Sequence, residues 1–167
     1  MLDVFERNKY DLATTVRKSK GWFDQQVTLL TKQQLTPARV LSGNTDDLVT
    51  RIMPGRLYMY GYDPKGKKDL PYYDKFPLVF PFSKTPDGFM GLNMHYLPLI
   101  LRARLMDALY QINTDKKNDP MSKMRLSYRI LTSTSKLKFY EPCIKQYLFN
   151  HVRSKFFEIT NEEWNMA

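Results

Sequence analysis

The sequence predicts an α+β fold: a small antiparallel sheet or half-barrel over about residues 56–96, flanked by an N-terminal helix and a C-terminal helical cluster. Three observations predict it. Leu2, Phe5, Leu12, Val16 and Phe23 recur at helical spacings. Residues 56–96 alternate with a period of two, and six of the ten prolines fall between Pro64 and Pro98. After Pro98 the apolar period returns to that of a helix.

In order along the chain, residues 1–35 read as helix, with Gly21 an interruption or bend, a further turn through Trp22, Val27, Leu29 and Leu30, and Pro37 as its end. Residues 42–47, SGNTDD, read as a loop, and 48–53 as a helical turn or an extended connector. Three strands follow at 56–62, 76–82 and 88–96. The first sets Leu57, Met59 and Gly61 against Tyr58, Tyr60 and Tyr62. The second lines up Phe76, Leu78, Phe80 and Phe82, and the third Met90, Leu92 and Met94. Pro77 and Pro81 lack ladder donors, which predicts an edge position for 76–82. Turns are expected at Asp63-Pro64-Lys65-Gly66 and Pro86-Asp87-Gly88. Helices are expected near 98–113, along Leu101, Leu105, Leu109 and Ile112, and near 120–137, where Asp119-Pro120 caps a face of Met121, Met124, Tyr128 and Leu131. A last helix is expected near 142–157. Residues 1–50 then form a helical arm and 51–167 a single α+β domain. Leu92, Leu105, Leu109, Ile144 and Leu148 are the expected shared core.

Composition narrows the function. Hydrophobic residues at 43% and aromatics at 14% exclude a globally disordered chain. No apolar run is long enough to cross a bilayer. One cysteine, Cys143, excludes an internal disulfide and an all-cysteine metal site; His95 and His151 alone leave few zinc arrangements. The net charge of +9 suits nucleic acid, an anionic surface or an acidic protein. Residues 96–167 hold most of the excess, twelve bases against seven acids.

Each candidate site has a plain alternative. Lys65, Lys67, Lys68 and Lys75 could cradle an anion, but they lack phosphate-loop spacing and read first as a solvated hairpin tip. Asp63, Asp69, Asp74 and Asp87 could hold Mg²⁺ in a nuclease, yet each sits beside Pro, Lys or Gly, as turn aspartates do. Both histidines read as hydrogen-bonded packing residues. Cys143, in the first turn of a helix, could have a lowered pKa, but a small buried residue is the simpler reading. No nucleophile motif surrounds any serine. The stronger signals are Arg125, Arg129 and Lys136 on one helix face, followed by Lys145, Arg153 and Lys155. Tyr58, Tyr60, Tyr72 and Tyr73 could stack bases or form a protein interface, and the interspersed charges favour protein. No cofactor, metal or small-molecule substrate is expected.

Some segments go beyond composition. MPGRLYMYGYDPKGKKDLPYYDKFPLVFPF (53–82), GFMGLNMHYLPLILRARLMDAL (88–109) and EPCIKQYLFNHVRSKF (141–156) resemble a family of small virion-associated proteins of large contractile-tailed bacteriophages, of tail, baseplate or DNA-end type. The resemblance spans about residues 50–167, and the family pattern continues past Glu163-Trp164. It implies a non-enzymatic structural protein of the virion, of tail or baseplate, made in the host cytoplasm. Its partners would be other virion subunits or a second copy of the chain. The alternative it implies is a DNA-binding packaging or DNA-end-protecting protein.

Overall fold

The computed structural model describes residues 12–32, 48–49, 52–70, 72–164 and 167. Among the described residues, three helices and a six-stranded antiparallel sheet make up an α+β fold. The helices are α1 (Leu12–Lys32), α2 (Leu99–Thr114) and α3 (Pro120–Ser135). The strands are β1 (Leu48–Val49), β2 (Leu57–Met59), β3 (Leu78–Thr85), β4 (Gly88–Asn93), β5 (Ile144–Leu148) and β6 (Phe156–Ile159), in the order β1-β6-β2-β3-β4-β5. No helix among the described residues is long and apolar enough to cross a membrane. Pro37 and the SGNTDD loop lie outside the described residues.

Period two decides the faces of the sheet. Leu57 and Met59 of β2, Leu78, Phe80 and Phe82 of β3, and Leu92 of β4 turn to one side. There they meet Leu105, Met106 and Leu109 of α2, Leu131 of α3, and Trp22 and Leu30 of α1. Tyr58, Tyr60, Tyr62, Val79, Phe89, Tyr147 and Phe156 form a second cluster on the other side. The β4–β5 approach needs a glycine: a Cβ on Gly88 would lie 1.8 Å from the carbonyl oxygen of Tyr147.

Five expectations are corrected. The predicted helix at 142–157 is instead a 3-10 turn, Lys138–Cys143, then β5, a 3-10 turn at Phe149–His151, and β6. Its Ile, Tyr and Phe residues suit strands, and pairing to β4 and β2 outweighs weak helical spacing. Leu148 is accordingly half-buried and outside the main cluster, while Ile144 only packs against it. Strand β3 is central, between β2 and β4. Its prolines are tolerated because Pro77 precedes it and the β2 ladder ends at Val79, with a register shift just past Pro81. Gly21 lies inside α1, with open space where its Cβ would be. The inward face of α3 is also rotated: Ser127 and Leu131 are buried, Met121 and Tyr128 exposed.

Candidate nucleic-acid interface

Helix α3 starts at a strong cap. The Asp119 carboxylate accepts from the backbone N–H groups of Met121 and Ser122 at 2.9 and 3.0 Å, and from the Ser122 hydroxyl at 2.6 Å. Those bonds, led by the Ser122 hydroxyl, hold the carboxyl below its usual range. Pro120 opens the first turn. The Lys123 ammonium donates to the Asn113 carbonyl at 2.9 Å and ties α3 to the end of α2. With its inner side fixed by Leu131, the opposite side faces water.

That outer side carries Arg125, Arg129 and Lys136, all exposed. Offsets of four and eleven place them within about 40° of one another around the helix. Among the described residues none of the three is in a salt bridge. Tyr128, 44% exposed, lies beside this row, about 60° round the helix from Arg125. From Pro120 to Tyr140 the sequence has Lys123, Arg125, Arg129, Lys136 and Lys138 and no acid. The 3-10 turn Lys138–Cys143 follows α3 directly and contacts it. On it Phe139 is 81% exposed, with Leu137 beside it at 53%.

The tyrosine candidates separate. Tyr58 and Tyr60 are buried and offer no binding surface, which corrects the expectation that they form an interface. The Tyr60 ring packs on Tyr62, Phe89, Tyr147 and Phe156, with centroids 4.7–6.2 Å away, and its hydroxyl has no hydrogen-bond partner among the described residues. Burial pushes the Tyr60 phenol well above its ordinary pKa, and takes Tyr58 to about 12 even though the Met53 N–H donates to its oxygen. Tyr73 is half-buried. Tyr72 is on the surface, edge-on to Tyr96, whose ring carries the Lys145 ammonium at 4.6 Å.

The four aspartates do not gather, and among the described residues no three His, Cys, Asp or Glu side chains form a metal-binding group. Asp63 pairs with Lys67 at 2.8 Å and stands 3.7 Å from Arg153. Asp87 accepts from the Thr85 hydroxyl across its turn. Asp74 does something the sequence did not suggest. Its carboxylate lies 2.6 Å from His95 Nδ1 and accepts from the Asn93 amide at 3.1 Å and the Phe76 N–H at 3.1 Å. The buried Asn93 amide also donates to the Tyr147 hydroxyl at 2.9 Å. Burial alone would raise the Asp74 pKa, but the His95, Asn93 and Phe76 bonds outweigh it and leave the carboxyl below its usual value. This network fastens the loop before β3 to the end of β4 and to β5. His151 Nδ1 contacts the Asp63 carbonyl. Cys143 is buried, as the simpler reading had it, and burial pushes its thiol up.

Reasoning from spacing found the α3 cations but missed Phe139. The signal for it was the acid-free run ending in Lys138-Phe139-Tyr140, with one aromatic of the pair buried and the other exposed.

No curated protein and no solved structure matches the chain. A family model described as "Phage T4 terminal DNA protecting protein" matches residues 4–167, so the similarity reaches beyond the segments from residue 50 onward to include α1. Covering the sheet and the three described helices, that match establishes that the chain belongs to the phage T4 terminal DNA protecting protein family.

Proposed function

We propose that this phage protein binds the ends of linear duplex DNA through the outer face of α3 and shields them by occupancy, without making or breaking bonds. One observation carries the reading: five cations and no acid between Pro120 and Tyr140, three of them aligned and exposed on one helix face. Arg125 and Lys136 are about 16 Å apart along the helix. Over that length duplex DNA carries about nine phosphates, so a row of cations has matching charge to meet. The family's description agrees with the DNA-end alternative better than with a tail or baseplate part. A protein that holds packaged DNA ends would travel in the virion beside other subunits.

The test is binding of the full chain to blunt linear duplex across a salt series, together with protection of that duplex from an exonuclease that digests from ends. Binding should weaken steeply with salt. Neutralising Arg125, Arg129 and Lys136 together should lower the slope of log K against log salt by about 3, near one unit per lost phosphate contact. Salt-independent binding, or digestion at the same rate with and without protein, would overturn the proposal.

A further inference from the structure

We propose that Phe139 stacks on the outer face of the terminal base pair of a DNA duplex, so that this side chain distinguishes an end from the interior. The inference rests on the proposed binding of DNA by α3. Phe139 is 81% exposed, more than any other large apolar side chain among the described residues. A mobile tail does not explain this exposure. Residues 138–143 form a 3-10 turn that contains Pro142 and is anchored by buried Tyr140 and Cys143. The Tyr140 N–H donates to the Leu137 carbonyl at 2.9 Å, and the Lys136 N–H donates back to Ser133 and Thr134. The ring is therefore held outward on a fixed turn, at low entropy cost for binding.

The surroundings say what would cover it. Lys136 precedes Leu137 and Lys138 separates it from Phe139, both lysines exposed, and the exposed Glu141 is the nearest acid along the chain. An apolar side chain beside two lysines complements an apolar plane rimmed by anions. Interior base pairs have both faces stacked on neighbours and offer only grooves and phosphates. The last base pair of a duplex alone exposes a flat π-face beside its phosphates, and aromatic stacking on bases does not depend on sequence. An end-binding protein needs that indifference to sequence.

The experiment compares blunt linear duplex, carrying 2-aminopurine as its terminal base, with a closed minicircle of the same sequence. The wild-type chain should prefer the linear form and change the terminal 2-aminopurine fluorescence. Phe139→Ala should weaken linear binding about five- to hundred-fold. It should leave minicircle affinity and the salt slope unchanged, and abolish the fluorescence change. Phe139→Trp should restore all of these. An Ala variant that keeps the end preference, or that loses both DNAs equally, would overturn the inference. So would one that keeps DNA binding and loses self-association, since the patch would then be a contact between protein copies. Wild-type protein that binds both DNAs equally would refute the cap while leaving DNA binding by α3 standing. Wild-type protein that binds neither would remove both.

Discussion

The tyrosine face of the sheet and the outer face of α3 look alike in composition and differ in where they stand. Tyr58, Tyr60 and Tyr62 have the residue type of a binding surface, yet they are sealed against Phe89, Tyr147 and Phe156. Met121 and Tyr128 have the residue type of a core, yet they are exposed on the same helix as the cations. Residue type does not decide which face is wet. Neighbours do: β5 and β6 bring Tyr147 and Phe156 over the tyrosines, while α3 spends its inner side on Leu131 and keeps Arg125 and Arg129 exposed on its outer one. The first region is therefore a second core, and the second is the surface free to meet a partner.

The largest effect that sharpens this contrast is expected at Tyr60. Tyr60→Ala should cost about 3–5 kcal/mol in chemical denaturation, as for other large buried aromatics. A loss below about 0.5 kcal/mol, the range of ordinary surface changes, would return the tyrosine face to the surface. Tyr60→Phe should be nearly neutral or stabilising, because the buried hydroxyl it removes has no partner among the described residues.

What could be read from the sequence follows the same division. The two faces of β2, β3 and β4 were legible because period two sorts side chains whatever covers them. Strands β5 and β6 were not. Ile144 to Leu148 has two polar residues, Lys145 and Gln146, in succession, and its strand state is decided by pairing with β4 some 55 residues earlier. Pro81 pointed to an edge because nothing local shows that β2 pairs with only two residues of β3. At the candidate site, Arg125, Arg129 and Lys136 were legible from helical spacing. The rotation of α3 was not, since Met121 and Tyr128 fit a buried stripe as well as Leu131 does. The Asp74–His95 contact joins a loop to the end of a strand, a closure that no local pattern encodes.

The next effect concerns what fastens the second core's border. Asp74→Asn keeps the shape but removes the charge that accepts from His95, Asn93 and Phe76. A loss of about 1.5–3 kcal/mol at neutral pH is expected for bonds to a charged group. The sign of the pH dependence follows from a lowered carboxyl pKa. The folded state binds this proton less readily than the unfolded chain, so the contribution is fully present above the unfolded value of 3.8. It is lost as pH falls through the lower folded value. The stability gap between wild type and Asp74→Asn should therefore close below about pH 4. A gap that stays constant from pH 7 to pH 3 would show that the carboxylate charge is not what holds the loop.

The smallest stability effect is expected on α3, and there it tells most about function. Arg125→Ala with Arg129→Ala removes two exposed side chains that join no salt bridge among the described residues. Alanine also has the higher helix propensity, so the double variant should unfold within about 0.5 kcal/mol of wild type. DNA affinity should nevertheless fall, with a salt slope lower by about 2. That separation, unchanged folding with weakened binding, is the mirror image of the Tyr60→Ala result. If the double variant were destabilised by more than about 1 kcal/mol, the arginines would belong to the fold, and the outer face of α3 would be no freer than the tyrosines.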